Sequence, residues 1–494
     1  MSRFQRGGLT LGLVALVAAM ALARWLPELP AGLTREGLIL IGVTTLMAAW
    51  WVTEAIPLAA TALVPLVAFP LLGVAGIADV AGSYSDRFIL LLMGGFFVAT
   101  GIERWGLHRR LALWTVGRVG LAPRRLVLGF MLATAGLSMW ISNTATVLMM
   151  LPIVAAVVER AKEHDPRGAR ALATTLLLGI AYASSIGGLG TPIGTPPNNL
   201  FMGIYHARFP EAPRISFFGW MQLGVPVVAV MLPLVWWWLV ARVGRLPHGG
   251  GEAGRAVIDA ERRSLGPMAP SERRIAWVFA LTAAAWILRE PIPLGDSLTL
   301  PGWSMLLPNP AFADDSTVAM ASALAMFLIP AGRSQGPLLD WETASRIPWG
   351  LVLLFGGGIA ISAGFKATGL FGFVGSTLGL LGSVHPVLLT ALVALVVTFL
   401  TEVTSNTATA AILLPILAST AVASGHPPLA LMLAGTLSAS CAFMLPVATA
   451  PNAIVFSTGD VTVAQMARAG FWINLAGVVV ITAAVWALGV PLLG

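Results

Sequence analysis

Ser142-Asn143-Thr144-Ala145-Thr146 interrupts one apolar stretch, and Ser405-Asn406-Thr407-Ala408-Thr409 interrupts another, 263 positions later. The same offset pairs Leu92-Met93-Gly94-Gly95 with Phe355-Gly356-Gly357-Gly358, and Pro152 with Pro415. It also pairs Gly101-Ile102-Glu103-Arg104-Trp105-Gly106-Leu107 with Gly364-Phe365-Lys366-Ala367-Thr368-Gly369-Leu370. One offset held over about fifty residues marks an internal repeat. A second pairing, Thr195-Pro196-Pro197-Asn198 with Thr449-Ala450-Pro451-Asn452, has offset 254, because the first half carries the longer charged loop at 159–170.

Around these motifs the chain is an oil. Of 494 residues, 57% are apolar and 10% are charged, against roughly 25% charged in soluble domains. That composition excludes a soluble globular fold and a disordered chain. The single cysteine, Cys441, excludes a disulfide scaffold, and six histidines spread along the chain leave little for a metal cluster. The formal charge of +7 is read by membrane side, not as affinity for nucleic acid. Arg3 and Arg6 precede the apolar run from Leu9 to Ala23. With many spans following, this fits an uncleaved first helix better than a leader cleaved after Ala21-Leu22-Ala23.

A span needs roughly 20 apolar residues. Eleven candidates lie at 8–26, 36–53, 56–73, 87–103, 171–208, 217–243, 274–290, 314–331, 349–366, 427–458 and 467–492. Stretches 126–158 and 386–424 carry the Ser-Asn-Thr clusters near their middles and are read as re-entrant hairpins. The fold expected is an all-α polytopic membrane protein of about 11 transmembrane helices plus two hairpins. Its divisions are an N-terminal helix at 1–35, a first repeat at 36–243, a linker at 244–273 and a second repeat at 274–494. With the N-terminus cytoplasmic, segments 104–125, 159–170, 244–274 and 332–348 gather the arginines, from Arg104, Arg109 and Arg110 to Arg245, Arg333 and Arg346. Loop 291–313 has no Lys or Arg and falls outside, as does the C-terminus. The linker is Gly- and Arg-rich without an apolar period, so most of its charges are expected to be solvated. The two hairpins then open from opposite sides, so the halves are inverted. Inverted repeats with broken helices are the architecture of secondary transporters.

Polar groups at membrane depth need partners or a wet cavity. Asn offers a carbonyl and an amide, and Ser and Thr offer hydroxyls. A helix starting at each hairpin tip turns free N–H groups toward the cavity, favouring an anion. Segments 187–198 and 445–452 are unwound by glycine and proline, which frees carbonyls for a hard cation such as Na⁺. Ser138 and Thr401 lie four residues before Ser142 and Ser405, on the same helical face. With the Asn carbonyls they suggest oxygen cages for sodium. For one cluster alone, helix capping or bonding to the i−4 carbonyl would suffice as explanation; two clusters at one offset favour a binding role. No Arg or Lys falls in these segments, so an anion there needs co-bound cations. An intramembrane hydrolase would need a His, Asp or Ser–Lys constellation at depth, and none is visible. A channel does not explain the paired cages.

These motifs resemble the divalent anion/sodium symporter (DASS, INDY-like) family over nearly the whole chain. The resemblance rests on the paired Ser142-Asn143-Thr144 and Ser405-Asn406-Thr407, on Thr53-Glu54-Ala55-Ile56-Pro57, and on the run from Ser440 to Val455. It implies a homodimer in the inner (plasma) membrane, with a scaffold domain and a transport domain that moves as an elevator. It implies Na⁺ sites at Ser138, Ser142, Asn143 and Gly194, and at Thr401, Ser405, Asn406 and Ala448. It implies that Asn143, Thr144, Asn406 and Thr407 hold the substrate carboxylates, with Thr195 and Thr449 near them. The function implied is sodium-coupled symport of C4-dicarboxylates such as succinate, fumarate or malate. The alternatives are a dicarboxylate exchanger, a proton-coupled carrier, or a sulfate or tricarboxylate transporter. No organic cofactor is expected. Ala450 stands where the family usually has a proline, a change toward a wider pocket or altered selectivity.

Glu54 and Asp315 sit near span ends and fit helix caps or interfacial water better than proton sites. Glu402 adjoins the second cluster and either biases cation binding or faces water. Segments 104–118 and 367–383 read as interfacial helices, and Trp236-Trp237-Trp238 as an aromatic belt.

Overall fold

The computed structural model describes residues 1–163, 165–242, 246, 251–293, 298–332, 336–378 and 383–494. Arg245 and Arg333 of the basic segments, and 379–382 of the second interfacial stretch, lie outside them. The described chain is nearly all helical, with one antiparallel two-residue ribbon, Ile292–Pro293 against Thr299–Leu300. Nine of its helices are long and apolar enough to cross a membrane, and four shorter apolar helical stretches accompany them. The protein is a multi-pass membrane protein.

Both hairpins take the form that their sequences predict. Helix Pro123–Ser138 returns as Asn143–Lys162, and Pro386–Thr401 returns as Asn406–Ala423. Proline opens the first arm of each, where its missing N–H costs nothing. The long apolar stretches 171–208 and 427–458 are broken as expected. Helix Pro166–Gly188 stops at a glycine pair and resumes as Pro196–Arg208. Helix Pro428–Ala439 stops and resumes as Ala450–Ser457. Each upstream piece packs between the two arms of its own hairpin, and each downstream piece crosses to the other half's hairpin. The halves are clasped, which brings both breaks to one place.

Close helix approach depends on small residues, since lipid offers no hydrophobic drive between helices. At Gly94, on helix Arg87–Arg104, a Cβ would lie 2.5 Å from that of Ala319 on helix Asp315–Leu328. These two helices form one of the tightest pairs flanking the clasped unit.

The linker needs a correction. It is not featureless: Gly251–Leu265 is helical. Val257, Ile258 and Leu265 fall on one face, and Ile258 is fully buried. This short apolar stripe was hidden by the surrounding arginines. Among its charges, Glu261 pairs with Arg109. Nearby, Arg110 holds Glu272 with two hydrogen bonds of 2.5 and 3.0 Å. The two segments read as interfacial contain helices Leu107–Val119 and Leu370–Leu378.

Asp340, in a loop outside the spans, caps helix Trp341–Ala344 through the Thr343 N–H at 2.8 Å, and it meets Arg104 at 2.6 Å. The Thr343 hydrogen bond first, then Arg104, hold its carboxyl down at about 2. A depressed carboxylate contributes stability above its unfolded pKa and loses it as pH falls through the folded one. Asp340→Ala is therefore expected to lower the thermal midpoint in detergent by about 1–2 °C at pH 7. The gap to wild type should close between about pH 4 and pH 2. An equal gap at pH 7 and pH 2 would contradict this.

Candidate functional site

The two halves build their tips with the same hydrogen bonds. In the first, the Ser138 hydroxyl donates to Asn143 Oδ1. In the second, the Thr401 hydroxyl donates to Asn406 Oδ1 at 2.7 Å, and also reaches the Ala439 carbonyl at 2.9 Å. Ser138 and Thr401 are fully buried, so each Asn carbonyl is fixed in direction. Asn143, Thr144, Ser405 and Asn406 are half-buried, and Thr407 is buried. Ser142 is exposed and caps its own helix by accepting the Ala145 N–H at 3.3 Å. Ser405 makes no such cap.

The unwound segments are braced in matching ways. Asn198 Nδ2 donates to the carbonyls of Gly188 and Thr191 at 2.9 and 2.8 Å. Asn452 Nδ2 donates to those of Ala442 and Leu445, both at 3.1 Å. The sequence separations, 10 and 7 residues, are the same in both halves. Buried hydrogen bonds of this kind set a loop before any ligand arrives. Both asparagines keep a buried Oδ1 with no partner among the described residues. Thr195 and Thr449 are the N-caps of the two resumed helices. Thr195 Oγ1 lies 3.4 Å from Ser440 Oγ of the other half, so the two breaks meet directly.

In the first half, one glycine lets oxygens from two elements draw close together. A Cβ on Gly188 would sit 3.0 Å from the Gly194 carbonyl oxygen and 3.1 Å from Asn143 Oδ1. Two oxygens from different elements thus close on Gly188 so tightly that any side chain there would crowd them. Gly194 itself is locked against Gly188, since its own Cβ would lie 2.6 Å from the Gly188 carbonyl oxygen. The donor set, neutral oxygens with no charged nitrogen, suits a hard cation. In the second half Ala442 replaces Gly188 at the 254 offset. Ala448, the counterpart of Gly194, is buried, and its N–H bonds back to the Leu445 carbonyl at 3.2 Å.

Several contributors escape the motif reading. Trp140, two residues before Ser142, stacks on Phe217 and Trp286, with centroids 5.9 and 6.2 Å apart. Phe217 and Trp286 themselves stack at 4.4 Å. This fastens the first tip to helix Pro270–Ile287. Glu402 is buried, not facing water, and is fully hydrogen-bonded. Glu54 is exposed and ends helix Arg35–Thr53, whereas Asp315 is a buried partner of Arg289 at 2.7 Å. Ala450 is exposed at the first position of its helix, and that helix begins where its counterpart does. The missing proline therefore leaves the local backbone unchanged in outline.

Two mirrored helix breaks that share one polar locus are the plan of a secondary transporter. The chain belongs to the family described as the sodium:sulfate symporter transmembrane region, whose model matches residues 8–493. It is 40% identical over 494 residues to the sodium-dependent dicarboxylate transporter SdcS of Staphylococcus saprophyticus, covering 99% of this chain and 92% of that one. It is also 40% identical over 468 residues to the protein of the same name from Staphylococcus aureus strain NCTC 8325, covering 92% and 87%. Among solved structures, the YdaH transporter of Alcanivorax borkumensis, described as having an unusual topology, matches with a TM-score of 0.57 at 16% identity. That match covers 100% of both chains and is a likeness of fold. The family and the relatives are transporters, not enzymes.

Proposed function

We propose that the protein is a sodium-coupled symporter of C4-dicarboxylates. The observation that carries this is the convergence of Asn143 Oδ1 and the Gly194 carbonyl on the space beside Gly188, mirrored by the Thr401–Asn406 pair. Such neutral oxygen sets hold cations, and the helix N-termini at Asn143 and Asn406 present N–H groups to carboxylates. A dianion in a site without Arg or Lys needs its co-ions, which couples the two. The names of the 40% identical relatives support the same substrate and ion.

The cation sites are Ser138, Ser142, Asn143 and Gly194, with Thr401, Ser405, Asn406 and Ala448. The substrate groups are Asn143, Thr144, Thr195, Asn406, Thr407 and Thr449. The clasped hairpins and broken helices form the moving unit of an elevator, and the protein works as a homodimer in the plasma membrane. Its N-terminus is cytoplasmic and its C-terminus outside, on the arginine distribution. The divisions at 1–35, 36–243, 244–273 and 274–494 stand on the repeat.

Uptake of labelled succinate into proteoliposomes tests this. Inward sodium is expected to drive accumulation, and replacing it with choline should leave background uptake across pH 6–8. Uptake that ignores sodium but needs internal dicarboxylate would mean exchange, and uptake that follows a proton gradient would mean a proton-coupled carrier.

A further inference from the structure

We propose that the groove between helices Phe217–Arg242 and Val463–Ala484 binds the headgroup of an anionic phospholipid, with the guanidinium groups of Arg242 and Arg468 on its phosphate. None of the residues assigned to cation or substrate lines this groove, so the site depends on the chain lying in a bilayer and not on what it carries.

Trp238 and Arg242 stand four residues apart at the end of the first helix. Gln465, Arg468 and Trp472 follow one another at spacings of three and four near the start of the second. Such spacings put each set on one helical face. The two helices pack together, and the facing sets line a groove of about 420 Å³. Trp238 and Trp472 meet there with ring centroids 6.2 Å apart, and Arg242 lies over the Trp238 ring at 5.4 Å. Both helices belong to stretches long and apolar enough to span a membrane. The end of one meets the start of the other, so the groove lies at one membrane surface whichever way the protein is inserted. The arginine distribution makes that surface the cytoplasmic one.

The two positive charges are unmatched within the protein. Neither arginine has a carboxylate within 4.0 Å among the described residues, and no Asp or Glu lines the groove among them. By contrast Arg104, Arg109 and Arg110 each hold a carboxylate. Arg242, Gln465, Arg468 and Trp472 are exposed. Guanidinium forks suit the oxygens of a phosphodiester, which they hold by paired N–H donors. Basic clefts between spans on the cytoplasmic side are where anionic headgroups bind. The indoles add an apolar wall that a free phosphate would leave idle, but that the glycerol and first methylenes of a lipid would cover. An arginine that merely snorkels at a span end needs no such groove. Arg24, exposed beside Trp25 at the end of helix Arg3–Trp25, is that ordinary case.

The test is native mass spectrometry of the full-length protein in maltoside detergent, titrated with dioleoylphosphatidylglycerol. Wild type is expected to hold its first such lipid at least about tenfold more tightly than dioleoylphosphatidylcholine, whose headgroup is neutral overall. Arg242→Gln and Arg468→Gln should each weaken that binding about fivefold, and the double variant about twenty-fivefold. Arg468→Lys keeps the charge but loses the fork, and should weaken it less than Arg468→Gln does. Arg24→Gln should change it less than about twofold. Equal affinity for the two lipids, a double variant within about twofold of wild type, or Arg24→Gln as damaging as either groove variant would overturn the proposal. So would displacement of the lipid by inorganic phosphate at equal concentration, which would make this a small-anion site. The replaced side chains are exposed, so the variants are expected to keep the fold. Should the double variant not accumulate in membranes, the two single variants decide: either one within about twofold of wild type would overturn the proposal.

Discussion

Asn143→Ala and Asn406→Ala are each expected to reduce sodium-driven succinate uptake to background while the protein still reaches the membrane. Each removes a carbonyl oxygen that a buried hydroxyl holds in place, Ser138 in one half and Thr401 in the other. Losing one such bond to a charged group costs about 1.5–3 kcal/mol. That is about ten- to a hundredfold in affinity for a single ion. Each asparagine is assigned to a cation and to a carboxylate, so the losses compound. Both side chains are half-buried at a hairpin tip, and truncating them leaves the packed arms intact. Uptake by either variant at more than about a tenth of the wild-type rate would remove that asparagine from the site.

Gly188→Ala should be nearly as damaging, by filling the space instead of removing a ligand. The new methyl would stand 3.0 Å from the Gly194 carbonyl and 3.1 Å from Asn143 Oδ1, and 3.2 Å from Thr195 Cβ. Overpacking of this kind costs about 1–3 kcal/mol in a well-packed interior, and here it also pushes against the two oxygens assigned to the cation. Uptake is expected to fall at least about fiftyfold, with half-saturating sodium raised in whatever activity remains. The mirror change, Ala442→Gly, removes a methyl that the second cage already tolerates, and it should alter uptake less than about threefold. Normal transport by Gly188→Ala would show that this space holds no ion.

Much of this was legible in the residues because the repeat made each half a check on the other. A Ser-Asn-Thr run alone reads equally well as a helix cap, and Ser142 does cap its helix. Its recurrence, with Ser138 and Thr401 one turn earlier, marks both Ser/Thr–Asn pairs in the sequence itself. The broken helices were legible for the same reason, since glycine and proline cannot continue a helix. What stayed hidden depends on chain segments far apart in sequence. Gly188 is one glycine among several in its run, and only its approach to Asn143 and Gly194 marks it. Glu402 and Asn474 are 72 residues apart, and no local pattern joins them. Trp140, Phe217 and Trp286 come from three helices or loops whose order gives no hint of their stack. The linker helix Gly251–Leu265 was missed because three apolar residues among arginines are a weak periodic signal.

The central claim is that one site, built from both halves, binds sodium and a dicarboxylate together. Equilibrium binding of labelled succinate to the purified protein, across a sodium series, tests it most directly. Succinate affinity should rise steeply with sodium, and succinate should raise sodium affinity by the same factor, as linkage requires. Asn143→Ala and Asn406→Ala should each abolish both effects. Succinate binding of equal strength in sodium and in choline, or full coupling surviving the loss of either asparagine, would contradict it.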